Sequence, residues 1–213
     1  MKKIFSSLLF SIVLSVGFLF NTTLVNAEDG DTASVSPIKM DPNSEIGTFA
    51  VTNPGDTVRY PNSSIVVRSG DVLLSDKSWD ATKFAGHAAI VGPNSSVHEV
   101  LPGVAGRTVS LSQHRSNQSG GTVRVYRHSS SSAASSASIW AMNNVNKVTS
   151  YWLRTDLTTV SSSYCSKFVW QAYHKTGSSI GYVSSPSYEF GRLTGFVYPS
   201  NLKTGMTYIG SYK

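Results

Sequence analysis

The side chain with the most to offer chemically is Cys165, the single cysteine of the chain. A thiolate attacks acyl carbonyls to form thioesters once a base and a stabilising field are supplied. Ser161-Ser162-Ser163-Tyr164 precede it, and Phe168, Val169 and Ala172 follow at helical spacing. The pattern predicts a helix from about residue 163 to 176, capped by the serines and stopped by Gly177, with the thiol in its first turn. A helix start carries unpaired N–H groups and partial positive charge, which stabilise a thiolate and then an oxyanion. The plain alternative is a cysteine that only packs. The chemical reading needs a base.

His87 is the best placed of five histidines, because it follows Gly86 and opens the apolar run Ala88-Ala89-Ile90-Val91. A turn at Gly92-Pro93-Asn94 and a second strand, Ser96 to Val100, complete a hairpin. A three-residue loop over 92–94, with Asn94 left-handed, pairs Val91 with Ser95 and sets His87 opposite Glu99. A carboxylate there orients the imidazole and stabilises its protonated form. A two-residue loop at Pro93-Asn94 would present His98 instead, but proline cannot adopt the positive φ that such loops require. Glu99 is the preferred third member and His98 stays open as the alternative.

These residues need a scaffold, and the chain supplies one. Strand signals occur at 64–67, 71–74, 87–91, 96–100 and 122–126. The Ser/Ala tract at 129–138 runs into Ile139-Trp140-Ala141-Met142 and predicts a helix with serine at its N-cap. The tail from about Gly195 holds one or two short strands. The order of elements predicts an α+β domain, with helices packed on an antiparallel sheet. Ahead of it, Lys2 and Lys3, an apolar run to Phe20 and Val25-Asn26-Ala27 read as an export signal over 1–27. Residues 28–60 are polar and turn-rich and read as a leader or cap, leaving 61–213 as the hydrolase domain.

Charge narrows the class. The formal net charge is +6, or +4 once Lys2 and Lys3 leave with the signal. The cations are scattered without an aromatic-interleaved patch, which argues against nucleic acid as a partner. A lone cysteine in an exported chain forms no internal disulfide. A zinc peptidase fails on spacing, because Pro102 stands four residues after His98. Ser36-x-x-Lys39, Ser200-x-x-Lys203, Lys175-Thr176-Gly177 and Lys203-Thr204-Gly205 echo penicillin-binding enzymes, but the Ser-Asp-Asn element is missing and the second Ser-x-x-Lys overlaps its own Lys-Thr-Gly. No other stretch is long and apolar enough to cross a bilayer once the signal is cleaved.

The segments Ser69-Gly70-Asp71-Val72-Leu73-Leu74, Gly86 to Val91, Val97-His98-Glu99-Val100 and Tyr164-Cys165-Ser166-Lys167-Phe168-Val169-Trp170-Gln171-Ala172-Tyr173 together resemble one group of enzymes. It is the YaeF/YiiX-like branch of circularly permuted papain-fold, NlpC-type amidohydrolases. The resemblance implies a permuted papain-like α+β fold, with histidine before cysteine in the chain. It implies Cys165 as nucleophile, His87 as base and Glu99 as its orienting partner, with Tyr164 and Asp71 at the substrate. It implies no metal and no cofactor, a bacterial secreted or wall-associated monomer, and a peptide or peptidoglycan-fragment substrate. Related acyltransferases on the same scaffold make lipid esters the alternative, and a non-enzymatic wall-binding module is a third reading.

Overall fold

The computed structural model describes residues 57–77 and 86–213. The expected signal and nearly all of the 28–60 leader lie outside the described residues. In chain order the elements are β1 (Val72–Ser75), β2 (His87–Val91), β3 (Val97–Leu101), β4 (Ala105–Val109), α1 (Leu111–Asn117), β5 (Val123–Arg127) and α2 (Ser131–Asn144). There follow β6 (Ser150–Tyr151), β7 (Ser162–Ser163), α3 (Cys165–His174), β8 (Ser184–Glu189), β9 (Arg192–Phe196) and β10 (Thr207–Tyr212).

Six strands form one antiparallel sheet in the order β10-β5-β1-β2-β3-β4. Its central strands are apolar at successive positions because both faces are covered. One face puts Val72, Leu74, Ala88, Ile90 and Val100 against Ala137, Ala141, Phe168, Val169 and Ala172 of α2 and α3. The other buries Leu73, Ala89, Val91, Val97 and Val125 with Tyr60, Leu111 and Tyr212. Every residue of α3 from Cys165 to Tyr173 is buried. The Ser/Ala tract does form a helix: Ser130 accepts from the Ala133 amide at its N-cap. The small residues Ala134, Ala137 and Ala141 face inward.

Several expectations are corrected. Residues 64–67 contribute only a bridge between Arg59 and Val66 rather than a strand. The cap of α3 is Tyr164, with no side-chain hydrogen bond, because Ser162 and Ser163 are drawn into β7 beside β6. The stretch after Leu101, left blank by hydrophobic pattern, holds β4 and α1. Strand pairing near the tail begins earlier than Gly195, in the β8–β9 hairpin.

Candidate active site

The β2–β3 loop has three residues, as expected, but slides by one position. It is Pro93-Asn94-Ser95, closed by Gly92 N–H donating to Ser96 O at 2.7 Å, and the left-handed residue is Ser95 (φ 56°). The register therefore moves by two: Ala89 faces Glu99 and Ile90 faces His98. A shift of two preserves side-chain parity. His87 and Glu99 still share a face, and now meet on the diagonal with Nε2 3.0 Å from Oε2. His98 points the other way, its Nδ1 2.8 Å from Thr108 Oγ1. Desolvation lowers its pKa to about 4, so it is a neutral packing residue. Just before His87, Gly86 has φ 71°, and a Cβ there would lie 2.4 Å from Ser75 O. Only glycine lets the strand begin here.

At the start of β2 the imidazole meets the thiol at the start of α3. His87 Nε2 is on Glu99, and the ring is electrostatically coupled to Cys165. Burial by itself would push the imidazole down, but hydrogen bonds and charge from Cys165 and Glu99 raise its pKa to about 9. Burial likewise pushes the thiol up. The His87 hydrogen bond and charge, helped by the Ala88 and Ser166 amides, outweigh it and hold Cys165 below its ordinary value. Each group thus favours the charged form of the other.

Glu99 is itself supported. Arg107, directly opposite in β4, places Nε and Nη2 at 2.8 and 2.7 Å from Oε1. His114 of α1 brings Nδ1 to 3.1 Å from Oε2. Burial opposes the charge on Glu99, yet His114 and His87 together hold the carboxyl far below the usual carboxylate range. Burial also lowers His114, against the pull of the Glu99 carboxylate. Sequence reasoning missed both Arg107 and His114, and it missed Tyr151. The parallel β6–β7 pairing sets Tyr151 beside Ser163, and Tyr151 shares the pocket lining with Cys165. Burial and the neighbouring thiolate together keep that phenol protonated.

Cys165 opens into an apolar pocket of about 80 Å³, whose lining includes Tyr151, Leu153, Tyr164, Phe196 and Tyr198. Tyr151 and Leu153 also line a wider groove of about 410 Å³ with Pro102, Gly103 and Trp152. Tyr164 lines the same pocket as Cys165. Its hydroxyl accepts from the Val197 amide at 3.0 Å, and Ser166 Oγ donates to Val197 O at 2.7 Å, which pins the far wall. Asp71 is not part of the lining. Its buried carboxylate takes two bonds from Arg127, at 2.7 Å each, and one from the Tyr60 hydroxyl at 2.8 Å. The structure commits it to holding β1, β5 and the Tyr60 segment together.

Residues 46–190 match the family described as lipoprotein N-acylation protein LnsA-like. This chain belongs to that family. Among solved structures, metalloprotein yiiX from Escherichia coli O157:H7 shares the fold, with a TM-score of 0.53 at 16% identity. The match covers 68% of this chain and 97% of that one. No curated protein sequence matches this chain. The yiiX description raises the question of a metal, and here His87, Glu99 and His114 do place ligand-type atoms within 4.8 Å of one another. Those atoms face each other as hydrogen-bond partners, and Glu99 already carries the Arg107 guanidinium. A cation there would lie against a fixed positive charge and take His87 from the thiol. The set does not fit a resident metal; it fits the positioning of an imidazole.

Proposed function

We propose that the protein is an exported cysteine acyl-transfer enzyme of the LnsA-like family, taking fatty-acyl groups from a lipid ester. The observation that carries this reading is an apolar, aromatic-walled pocket opening onto the Cys165–His87–Glu99 array. A wall-peptide amidase would need polar groups to read its substrate, and this lining supplies few. The order of histidine before cysteine also supports a permuted papain-like arrangement.

Cys165 thiolate adds to the ester carbonyl. The tetrahedral oxyanion collapses to a thioester as the His87 imidazolium gives its proton to the departing alkoxide. An amine, as the family's description implies, or water then adds to the thioester. His87 takes the proton of that acceptor, and the thiolate departs. Glu99 holds the ring in the tautomer that serves both steps and stabilises its charge. The Tyr151 hydroxyl and the amides at the start of α3 are the groups nearest the developing oxyanion.

The test is intact-mass analysis after incubation with a defined phospholipid. One acyl mass should appear on Cys165, be released by hydroxylamine, and be absent in Cys165→Ala. Muropeptide cleavage that needs Cys165, with no acyl adduct, would overturn the lipid reading in favour of a wall amidohydrolase. A thiol no more reactive than free cysteine would overturn both in favour of a binding module.

A further inference from the structure

The β8–β9 hairpin carries an unusual tip. Glu189 pairs with Arg192, so the loop is the two residues Phe190-Gly191, with φ of 49° and 75°. That is the geometry of a type I′ turn, where asparagine or glycine sits at least cost and a bulky aromatic is strained. The Phe190 ring gains no burial in return, being fully exposed at 103%. Strain kept without a packing gain in the body points to a contact outside it. Tyr188, one strand position back from Glu189, is exposed as well.

The same hairpin leads to the active-site mouth. β9 runs from the tip to Phe196 and Tyr198 of the nucleophile pocket. Beside it lies the segment after Trp152 and Leu153, joined by Gly195 N–H to Thr155 O and Leu157 N–H to Leu193 O. Trp152 and Leu153 border the groove and the pocket yet are 57% and 55% exposed. Arg154 stands over the Trp152 ring at 5.7 Å. An aromatic–cation pairing of this kind suits the headgroup level of a bilayer.

Charge selects the bilayer. Without residues 1–27 the chain keeps sixteen Lys and Arg against twelve Asp and Glu, a net +4. Two of the twelve acids, Asp71 and Glu99, are buried and paired with Arg127 and Arg107. The net charge that remains is positive, and it is attracted to anionic lipid.

We infer that Phe190 and Tyr188 at the hairpin tip, with Trp152 and Leu153 at the mouth, dock the protein on an anionic phospholipid bilayer. Docking lets an acyl chain slide into the groove without crossing water. The inference rests on the lipid reading of the active site and specifies where that lipid is met.

The lone cysteine makes the test clean. In a full-length Cys165→Ser background, single cysteines at Phe190, Leu153 and, as a control, the exposed Lys175 are labelled with an environment-sensitive fluorophore. Vesicles of phosphatidylglycerol and phosphatidylethanolamine should shift emission to the blue at 190 and 153 and leave 175 unchanged. Phosphatidylcholine vesicles should bind about tenfold more weakly or worse. No shift at 190 and 153, a shift at 175 alone, or an equal response to phosphatidylcholine would overturn the inference. So would a blue shift produced by protein concentration without vesicles, which would mean that a second copy covers the tip. Because this background cannot form a thioester, docking and acyl transfer can fail independently of each other.

Discussion

Cys165 and His87 each reverse what burial alone would do to the other, and this gives the site a signed pH response. Burial pushes the thiol up and the imidazole down, while their mutual attraction holds Cys165 low and His87 at about 9. Alkylation of Cys165 by iodoacetamide should stay fast through neutrality and fall in acid as the thiolate is protonated. Turnover should fall on the alkaline side through about 9, as His87 loses the proton owed to the leaving group. Stability follows the same residues. The folded pKa of His87 lies above the unfolded value of about 6.5, so its contribution is complete below that and lost as pH rises through about 9. Glu99 is depressed, so it stabilises above about 4.3 and loses that contribution in acid. Urea midpoints against pH should show both limbs, and in Cys165→Ala the alkaline decline should begin at lower pH. Tyr151→Phe removes the hydroxyl that shares the pocket with Cys165. It should leave the circular dichroism spectrum unchanged and move the acid limb of the alkylation profile to higher pH.

At the scale of elements, the site depends on how β2 begins and how the β2–β3 hairpin turns. Gly86→Ala combines a left-handed φ with a Cβ 2.4 Å from Ser75 O. It should cost about 2 kcal/mol or more in a urea titration and slow Cys165 alkylation, because the strain falls on the backbone next to His87. The hairpin explains why a loop misplaced by one residue still led to the right neighbours. Closing the loop one position later advances the register by two, and strands alternate with a period of two. The short elements are where pattern was silent. α1 is seven mostly polar residues, with only Leu111 and His114 buried, and β6 is two residues long. Neither is long enough to display a period.

At the scale of the molecule, Asp71 ties regions that are far apart in sequence. It joins Arg127 at the end of β5 to Tyr60, while Tyr173 of α3 donates to the adjacent Gly70 carbonyl at 2.6 Å. Arg127→Leu would leave a buried carboxylate without its cation. The expected loss is about 3–5 kcal/mol, read as a fall in Tm on the order of 10 °C. Thiol reactivity of the folded fraction should be unchanged, since neither residue lines the pocket; Asp71→Asn with Arg127→Leu should recover part of the loss. The sequence alone determined the helix that begins at Cys165, the α+β class, and the parity that puts His87 and Glu99 on one face. These follow from local spacing, because side-chain direction repeats every 2 or 3.6 residues. Tertiary structure alone decided that Arg107 and His114 brace Glu99, that Tyr151 lines the pocket with Cys165, and that Asp71 pairs with Arg127 and Tyr60. Those contacts depend on which strands lie side by side and how the segments between them fold back, and no one-dimensional period records that.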